Sequence, residues 1–537
     1  MARDVLLVHP PSVFDFRKRS LFPGPIGFTV GESTNQFIIP PIGELSIADY
    51  LDRHGYKVGV DNLGERMVRD KDFDAEEYIK HMSARVYGID LHWSVHSQGA
   101  IEVARICKEL HPESLVIVGG LTATRFHDEI VSKYGFVDAV LRGEAEKPFL
   151  KLMANLDSRG ELVASENMTH RGTDGEVKVE PLMKPDEDID QYEFTRLDLL
   201  EPKGAVDSGS IPPHWSLPVC RGCIYNCATC AGSAYSYKKY LGREKPGFRS
   251  PKKIAEDLQK LSDQGVSLVF LFQDPRMGGR KYQDGLISAI RQDGSSLESL
   301  TLELFQPADQ DYARELSRLG VHVTLTISPE SGATGTRMVH GRGYTNEALL
   351  RTVENCQRAG LHLMVFFMIG LAGETHSTME ETWKLWDQIY SSAEAVRTEG
   401  EESTVIHSLG PMVLLDPGSS AFDAPEEHGY RLISKTLEDY VRAMSNPSWH
   451  QWLSYETEKM DRAAITDLVI DSIERSIEVW EKHGVYSRRQ AAKERLRNVD
   501  ASRWVVQEVD RIMKGHDEAQ RQSDLATLRK TLDGYEV

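Results

Sequence analysis

Cys223, Cys227 and Cys230 stand in a Cys-x3-Cys-x2-Cys spacing, three thiols within eight residues. Thiols that close along one loop converge on one soft object, and no other feature restricts the chain as much. An iron–sulfur cube normally takes four thiolates, so a loop that supplies three leaves one iron open to another ligand. Zinc is the competing reading, because Cys220 precedes the trio and would bring the count to four. Structural zinc sites, however, draw two short cysteine pairs from places well apart in sequence. Here all four cysteines fall within eleven residues, which suits a single loop around a [4Fe–4S] cube, with Cys220 outside the ligand set.

A chain of 537 residues has room for about three domains. Lys and Arg number 63 against 82 Asp and Glu, and the net charge of −19 disfavours nucleic acid and an anionic membrane surface as partners. Four of the six cysteines are crowded together, which is not the pattern of a secreted disulfide framework. The start is a short apolar run without a charged leader, and no apolar segment is long enough for a bilayer. A cytoplasmic location is expected, where the surroundings are reducing.

Asp4-Val5-Leu6-Leu7-Val8-His9-Pro10-Pro11 reads as a buried strand closed by prolines. A helix over about 42–54, strands over 55–60 and 86–90, a helix over about 98–110 and strands over 115–118 and 139–141 follow. This alternation predicts an α/β domain over 1–150 with a doubly wound parallel sheet, whose ligands lie beyond the carboxyl ends of the strands. The loops there hold Gly119, Gly120 and Thr122, then Gly143 and Glu144. Glycines let backbone approach a ligand, and hydroxyls bond its edge. Alone, they point to a nucleotide-like or flavin-like pocket, or to a plain structural sheet.

Residues 151–215 read as a connector, with Asp174-Gly175 in a hairpin setting and an acidic run over 186–190. Over 216–420 strands and helices alternate again, and each apolar strand runs into special residues. Asp274 follows the first, Ser328-Pro329-Glu330-Ser331-Gly332 the third, and Ile369-Gly370-Leu371-Ala372-Gly373-Glu374-Thr375 the fourth. Repeated βα units of this size form a barrel or partial barrel with its chemistry at the strand carboxyl ends. For each carboxylate, helix capping or an ion pair is the structural alternative. The region 421–537 is helical and charged, with expected helices over 430–444, 465–483 and from 488 onward. Trp449, Trp452 and Tyr455 cluster between the first two, as core or as a cap over a cavity.

Together these blocks resemble the cobalamin-dependent radical S-adenosylmethionine (SAM) enzymes. The cysteine loop is similar to the signature loop whose open iron chelates the amino and carboxylate groups of SAM. His9-Pro10-Pro11, Pro40-Pro41-Ile42-Gly43, Val118-Gly119-Gly120 with Ala123-Thr124, and Gly143-Glu144-Ala145-Glu146 are similar, in order, to recurring blocks of the family's cobalamin domain. The resemblance covers about residues 1–420 and implies a Rossmann-like cobalamin-binding domain followed by a partial (β/α) barrel. It implies Cys223, Cys227 and Cys230 as cluster ligands, Asp274 facing the SAM methionyl group, Ser328 and Glu330 near its ribose, and Gly370 and Gly373 near its adenine. Around cobalamin it implies Pro41, Gly119, Gly120, Thr122, Gly143 and Glu144. The chain carries Ala at one position of the Gly143-Glu144-Ala145-Glu146 block and of the Ile369–Thr375 block, and departs from the family at two further points. Asp90-Leu91-His92-Trp93-Ser94-Val95 lacks the glycine of the cobalt-ligating Asp-x-His-x-x-Gly, which implies a base-off cobalamin with His92 and Trp93 at its lower face. Thr229 stands where many relatives carry an aromatic residue, and Tyr225 is the candidate to compensate.

The resemblance implies a C-methyltransferase. Reduced cobalamin takes a methyl group from one SAM, a second SAM is split to a 5′-deoxyadenosyl radical that activates an unactivated carbon, and methylcobalamin delivers the methyl. The expected substrate is a small biosynthetic intermediate, free or carrier-bound, and the expected electron donor a flavodoxin or ferredoxin. Cyclisation, ring contraction or rearrangement with the same cofactors is the alternative reaction. A cobalamin-binding sensor with structural zinc is the alternative outside catalysis.

Overall fold

Val5 to His9 are all buried in β1 (Arg3–His9), and the computed structural model places this strand inside an eight-stranded sheet. The structure describes residues 3–26, 38–39, 42–201, 214–293, 297–398, 402–412, 414–515 and 517–535; Pro41 lies outside them. The other strands of this sheet are β2 (Val58–Asn62), β3 (Ala84–Asp90), β4 (Leu115–Gly119), β5 (Ala139–Leu141), β6 (Met168–Arg171), β7 (Val177–Val179) and β8 (Leu200–Glu201). Their order is β7-β6-β5-β4-β3-β1-β2-β8, with Val5 opposite both Val58 and Val86. β1 to β5 and β8 run parallel, as aliphatic strands covered by helices on both faces do.

The stretch read as a connector is largely part of this sheet. Helix Glu146–Arg159 continues past residue 150, β6 and β7 add antiparallel to β5 around the Asp174-Gly175 turn, and β8 pairs with β2. Strands of two to four residues are too short to show a period, which is why the sequence pattern missed them.

A second sheet begins with β9 (His214–Pro218). The two-residue strands β10 (Cys220–Arg221) and β11 (Gly247–Phe248) pair antiparallel beside it. Then follow β12 (Leu268–Phe272), β13 (Ser299–Leu304), β14 (His322–Glu330), β15 (His362–Ile369) and β16 (Val405–Pro411), all parallel, in the order β16-β15-β14-β13-β12-β9. The first and last strands do not pair, so the barrel is partial. Burial alternates along β13, β14 and β15: Leu302, Leu325 and Val365 are buried under the helices, whereas Glu303, Ser328, Glu330 and Met368 stand half-exposed on the other face. A parallel sheet buried on one side only wraps an interior, and that interior is where the polar residues point.

The C-terminal region opens with β17 (Tyr430–Leu432), paired to β18 (Tyr455–Thr457), where a helix over 430–444 was expected; the helix is confined to Leu437–Met444. Helix Arg462–Lys482 lies along helix His376–Val396, with Trp383 Nε1 donating to Ser472 Oγ at 3.2 Å. Trp449, Trp452 and Tyr455 are all buried, so the aromatic cluster belongs to the core. Helices Ala501–Met513 and Glu518–Tyr535 close a small separate apolar core over Phe22.

Helix Ser97–Leu110 docks so tightly on the His9-Pro10-Pro11 loop that Gly99 N donates to Ser12 O at 3.2 Å, and a Cβ at Gly99 would sit 1.8 Å from Pro11 O. Gly99→Ala is therefore expected to destabilise the chain by about 1–3 kcal/mol through overpacking. Denaturant unfolding measures this, and an unchanged midpoint contradicts the docking.

Candidate active site

The cysteine loop is held at both ends. β10 leads into it, and Ser233 caps the helix Ala234–Leu241 that leaves it. Within the loop, Tyr225 N lies 3.4 Å from Cys223 Sγ and Gly232 N 3.2 Å from Cys230 Sγ, both donating toward sulfur. Gly341 packs against the loop where a Cβ would come within 3.0 Å of Cys227 Cα. Burial pushes the Cys223 and Cys227 thiols up, and the Arg342 guanidinium beside both opposes the shift. Soft donors, amide N–H groups directed at sulfur and a nearby cation fit an anionic iron–sulfur cube. Among the described residues no three His, Cys, Asp or Glu side chains close around a single metal-ion position. Cys220 is buried, with its thiol directed at the Gly222 carbonyl, 3.4 Å away.

Facing the loop, Glu330 ends β14 beyond a bulge, with φ +67°, a strained value for a residue with a side chain. Its Oε1 accepts from Arg342 Nε at 3.2 Å and Nη2 at 3.1 Å. Ser328 lies on the same interior face. Asp274, expected to face the SAM methionyl group, has both oxygens engaged elsewhere. Oδ1 caps the turn Pro275–Gly278 by accepting Arg276 N at 2.9 Å, and Oδ2 accepts Arg276 Nη2 at 2.6 Å and Phe305 N at 2.8 Å. Capping is one of the roles of this carboxylate, and the ion pair with Arg276 is another. Tyr225 meets Phe305 edge to face, with ring centroids 5.7 Å apart.

Gly370 and Gly373 follow β15 with φ of +99° and +86°, conformations open to glycine. Buried Glu374 folds back on this loop: Oε2 accepts from Gly370 N at 2.8 Å and Leu371 N at 3.0 Å, while Oε1 has no hydrogen-bond partner among the described residues. Two tyrosines hold the same backbone: Tyr455, which the sequence placed in an aromatic cluster as core or cavity cap, and Tyr430, which sequence reasoning missed. Ala372 N donates to Tyr430 Oη at 3.0 Å, and Tyr455 Oη donates to Gly370 O at 2.8 Å. Both arrive from the C-terminal strand pair, and only the lone aromatic cluster hinted at either.

On the first sheet, His92-Trp93 and Gly119-Gly120-Thr122 form one surface at the strand ends. Thr122 N and Oγ1 donate to the His92 carbonyl at 3.1 and 3.0 Å, so this hydroxyl serves the backbone, and a Cβ at Gly120 would lie 2.6 Å from His92 Cα. Trp93 is 38% exposed and stands edge-on to His92. Beneath it, Asp90 accepts not from His92 but from His9 of β1, at 2.8 Å. Burial works to raise the Asp90 pKa, but the His9 bond and the charges of His9, His92 and His96 outweigh it and leave the carboxyl lowered. Glu44 is buried close by; its Oε2 is unpartnered among the described residues, and burial with the charges of Asp90 and Asp61 raises its carboxyl. An exposed indole and an orphaned carboxyl at the strand ends fit a broad group with amide arms, as cobalamin is.

Gly143 ends the neighbouring strand with φ +70°, and its N–H donates to Thr124 Oγ1 at 3.0 Å. Glu144, expected at the cofactor, accepts from Arg243 Nε at 2.6 Å and Nη2 at 2.9 Å, and lies 3.4 Å from Arg221 Nη1. Arg221 also bonds Glu146, so the loop after β5 is tied to the start of the cysteine loop through these four side chains. Sequence reasoning did not select Arg221, Arg243 or Glu146.

Burial lifts the Glu374 carboxyl to about 8. Between the unfolded value near 4.5 and about 8 only the folded chain holds this proton, so its contribution to stability falls as pH rises through that window. Glu374→Gln cannot titrate. Its melting temperature is expected to gain on that of the parent between about pH 5 and pH 8, and a constant difference contradicts the assignment.

Residues 217–385 match the family model of the radical SAM superfamily, and residues 31–153 that of the B12 binding domain. The chain is 25% identical over 347 residues to an uncharacterised methyltransferase of Pyrococcus horikoshii, spanning 64% of this chain and 72% of that one. It is 24% identical over 438 residues to an anaerobic magnesium-protoporphyrin IX monomethyl ester cyclase of Rubrivivax gelatinosus, spanning 77% and 75%. The solved structure of the radical SAM methyltransferase TsrM from Kitasatospora setae, with cobalamin and a [4Fe–4S] cluster bound, shares the fold with a TM-score of 0.57 at 16% identity over 89% of each chain. With a B12-binding sheet and a radical SAM partial barrel in sequence, the chain belongs to the cobalamin-dependent radical SAM enzymes, whose cofactors are cobalamin, SAM and a [4Fe–4S] cluster.

Proposed function

We propose that the enzyme is a C-methyltransferase acting on an unactivated carbon of a small biosynthetic molecule, free or carrier-bound. The observation that carries this reading is the junction of the two sheets: Glu144, next to Gly143 at a strand end of the first, is bonded to side chains that flank the cysteine loop of the second. Methyl transfer to a carbon radical needs donor and radical source to face one substrate, and adjacent strand ends provide that. When bound, cobalamin supplies a transferable methyl group, and SAM on the cluster supplies the hydrogen-abstracting radical.

In this reading Cys223, Cys227 and Cys230 hold the cube, Ser328 and the Glu330–Arg342 pair meet SAM from β14, and Gly370 and Gly373 admit its adenine. His92, Trp93, Gly119, Gly120 and Gly143 face cobalamin. Residues up to 201 form the cobalamin domain, 214–411 the radical domain, and the remainder a cover over both. A one-electron reductant such as flavodoxin or ferredoxin, in the cytoplasm, completes the picture. No helix among the described residues is long and apolar enough to cross a membrane.

The methyltransferase name of the Pyrococcus relative supports methyl transfer, and the Rubrivivax relative gives cyclisation as the second reading. Reconstituted enzyme incubated anaerobically with methyl-labelled SAM, cobalamin, reductant and a small-molecule extract is expected to place label in a new product. Deoxyadenosine formed alongside an unlabelled new product decides for cyclisation. Cys227→Ala is expected to abolish SAM cleavage yet bind cobalamin as the parent does, followed by the cobalamin absorption spectrum; retained cleavage removes Cys227 from the ligand set.

A further inference from the structure

We infer that Arg221 is a positioning residue that fixes the cobalamin domain against the cluster loop, so that the separation of cobalt and cluster is set through its side chain. Arg221 lies two residues before Cys223 and points back into the first sheet. Its Nη1 is 3.2 Å from Glu146 Oε2 and 3.4 Å from Glu144 Oε2, and Nη2 bonds Glu146 Oε1 and Ser46 Oγ, the latter at 3.3 Å. Ser46 in turn donates to Glu146 Oε1 at 2.6 Å. The guanidinium lies over the ring of Tyr192, 4.6 Å from its centroid, in the segment between β7 and β8 of the first sheet.

This arrangement differs from ordinary domain packing in what it connects. Glu144 follows Gly143 at the end of β5, and Glu146 opens helix Glu146–Arg159, so both carboxylates move with the cobalamin-side loop. On the other side only Gly222 separates Arg221 from Cys223. Gly222 has φ +101° and is packed so that a Cβ would meet Pro246 Cα at 3.1 Å. A planar guanidinium gripped along two edges and stacked on a ring fixes direction as well as distance, which a flexible ammonium does not. Other polar contacts cross between the domains, such as Trp215 Nε1 donating to Phe194 O at 3.0 Å and Ser250 N to Asp190 Oδ1 at 2.8 Å, but neither includes a residue of the stretch from Arg221 to Cys230.

The inference rests on the reading that both cofactors serve one carbon, but its test needs no turnover. Holoenzyme carrying cob(II)alamin and reduced [4Fe–4S] cluster is examined by pulsed EPR for the cobalt-to-cluster distance distribution. The parent is expected to give one narrow distribution. Arg221→Met and the isosteric Glu146→Gln are expected to broaden it or shift its mean, and Arg221→Lys to restore it in part. Cluster and cobalamin content per chain are measured on each variant, and if Arg221→Met fails to hold both, Glu146→Gln decides. A lowered melting temperature with an unchanged distance distribution overturns the inference, because it leaves Arg221 a packing role only. An enzyme that methylates nothing but shows the broadening loses the proposed reaction and keeps this role for Arg221.

Discussion

Two guanidinium groups and two carboxylates, nearly removed from water, join the ends of two sheets at the place where parallel sheets take their ligands. Desolvating such charges costs several kcal/mol for each ion, and only a complete set of partners offsets it; losing one partner costs ~3–5 kcal/mol. Replacing such a set with apolar groups is often neutral or stabilising, so its use here is to specify rather than to strengthen. Aliphatic cores build each sheet, and the ion cluster orients one against the other. The pieces of the candidate site are spread over both sheets, so their meeting depends on that orientation.

The parts of this fold that sequence reasoning reached are those with local causes. Three thiols on one loop, prolines after β1, and apolar runs closed by glycine each carry their explanation within a dozen residues. What it missed is non-local. His9 and Asp90 are 81 positions apart, Arg221 and Glu146 are 75 apart, and Arg243 and Glu144 are 99 apart. No period or spacing links such pairs, because they are brought together by strand order alone. The short strands β6, β7 and β8 escaped for a related reason: a pattern of period two needs more than two to four residues to register.

The carboxylates are instructive in the same way. Asp274, Glu144 and Glu330 all stand at strand ends, and the resemblance to the family implied each as a cofactor contact. In the folded chain each has an arginine. A carboxylate near a low-dielectric surface takes the nearest cation or backbone N–H; for Asp274 that cation is two residues on, while for Glu144 it comes 99 residues later, where no local pattern points to it. Glu330 keeps a distinction, since its left-handed φ is a strain that only a fixed surrounding maintains, and such strain gathers at functional sites.

The loop after β15 owes its shape to side chains that come 58 and 85 residues later. Gly370 and Gly373 give it freedom, and Tyr430 and Tyr455 take that freedom away. The C-terminal strand pair and the glycine loop after β15 therefore form one mechanical unit. A lineage that exchanged its C-terminal segment to admit a different substrate would have to rebuild the glycine turn at the same time, or carry over both tyrosines unchanged.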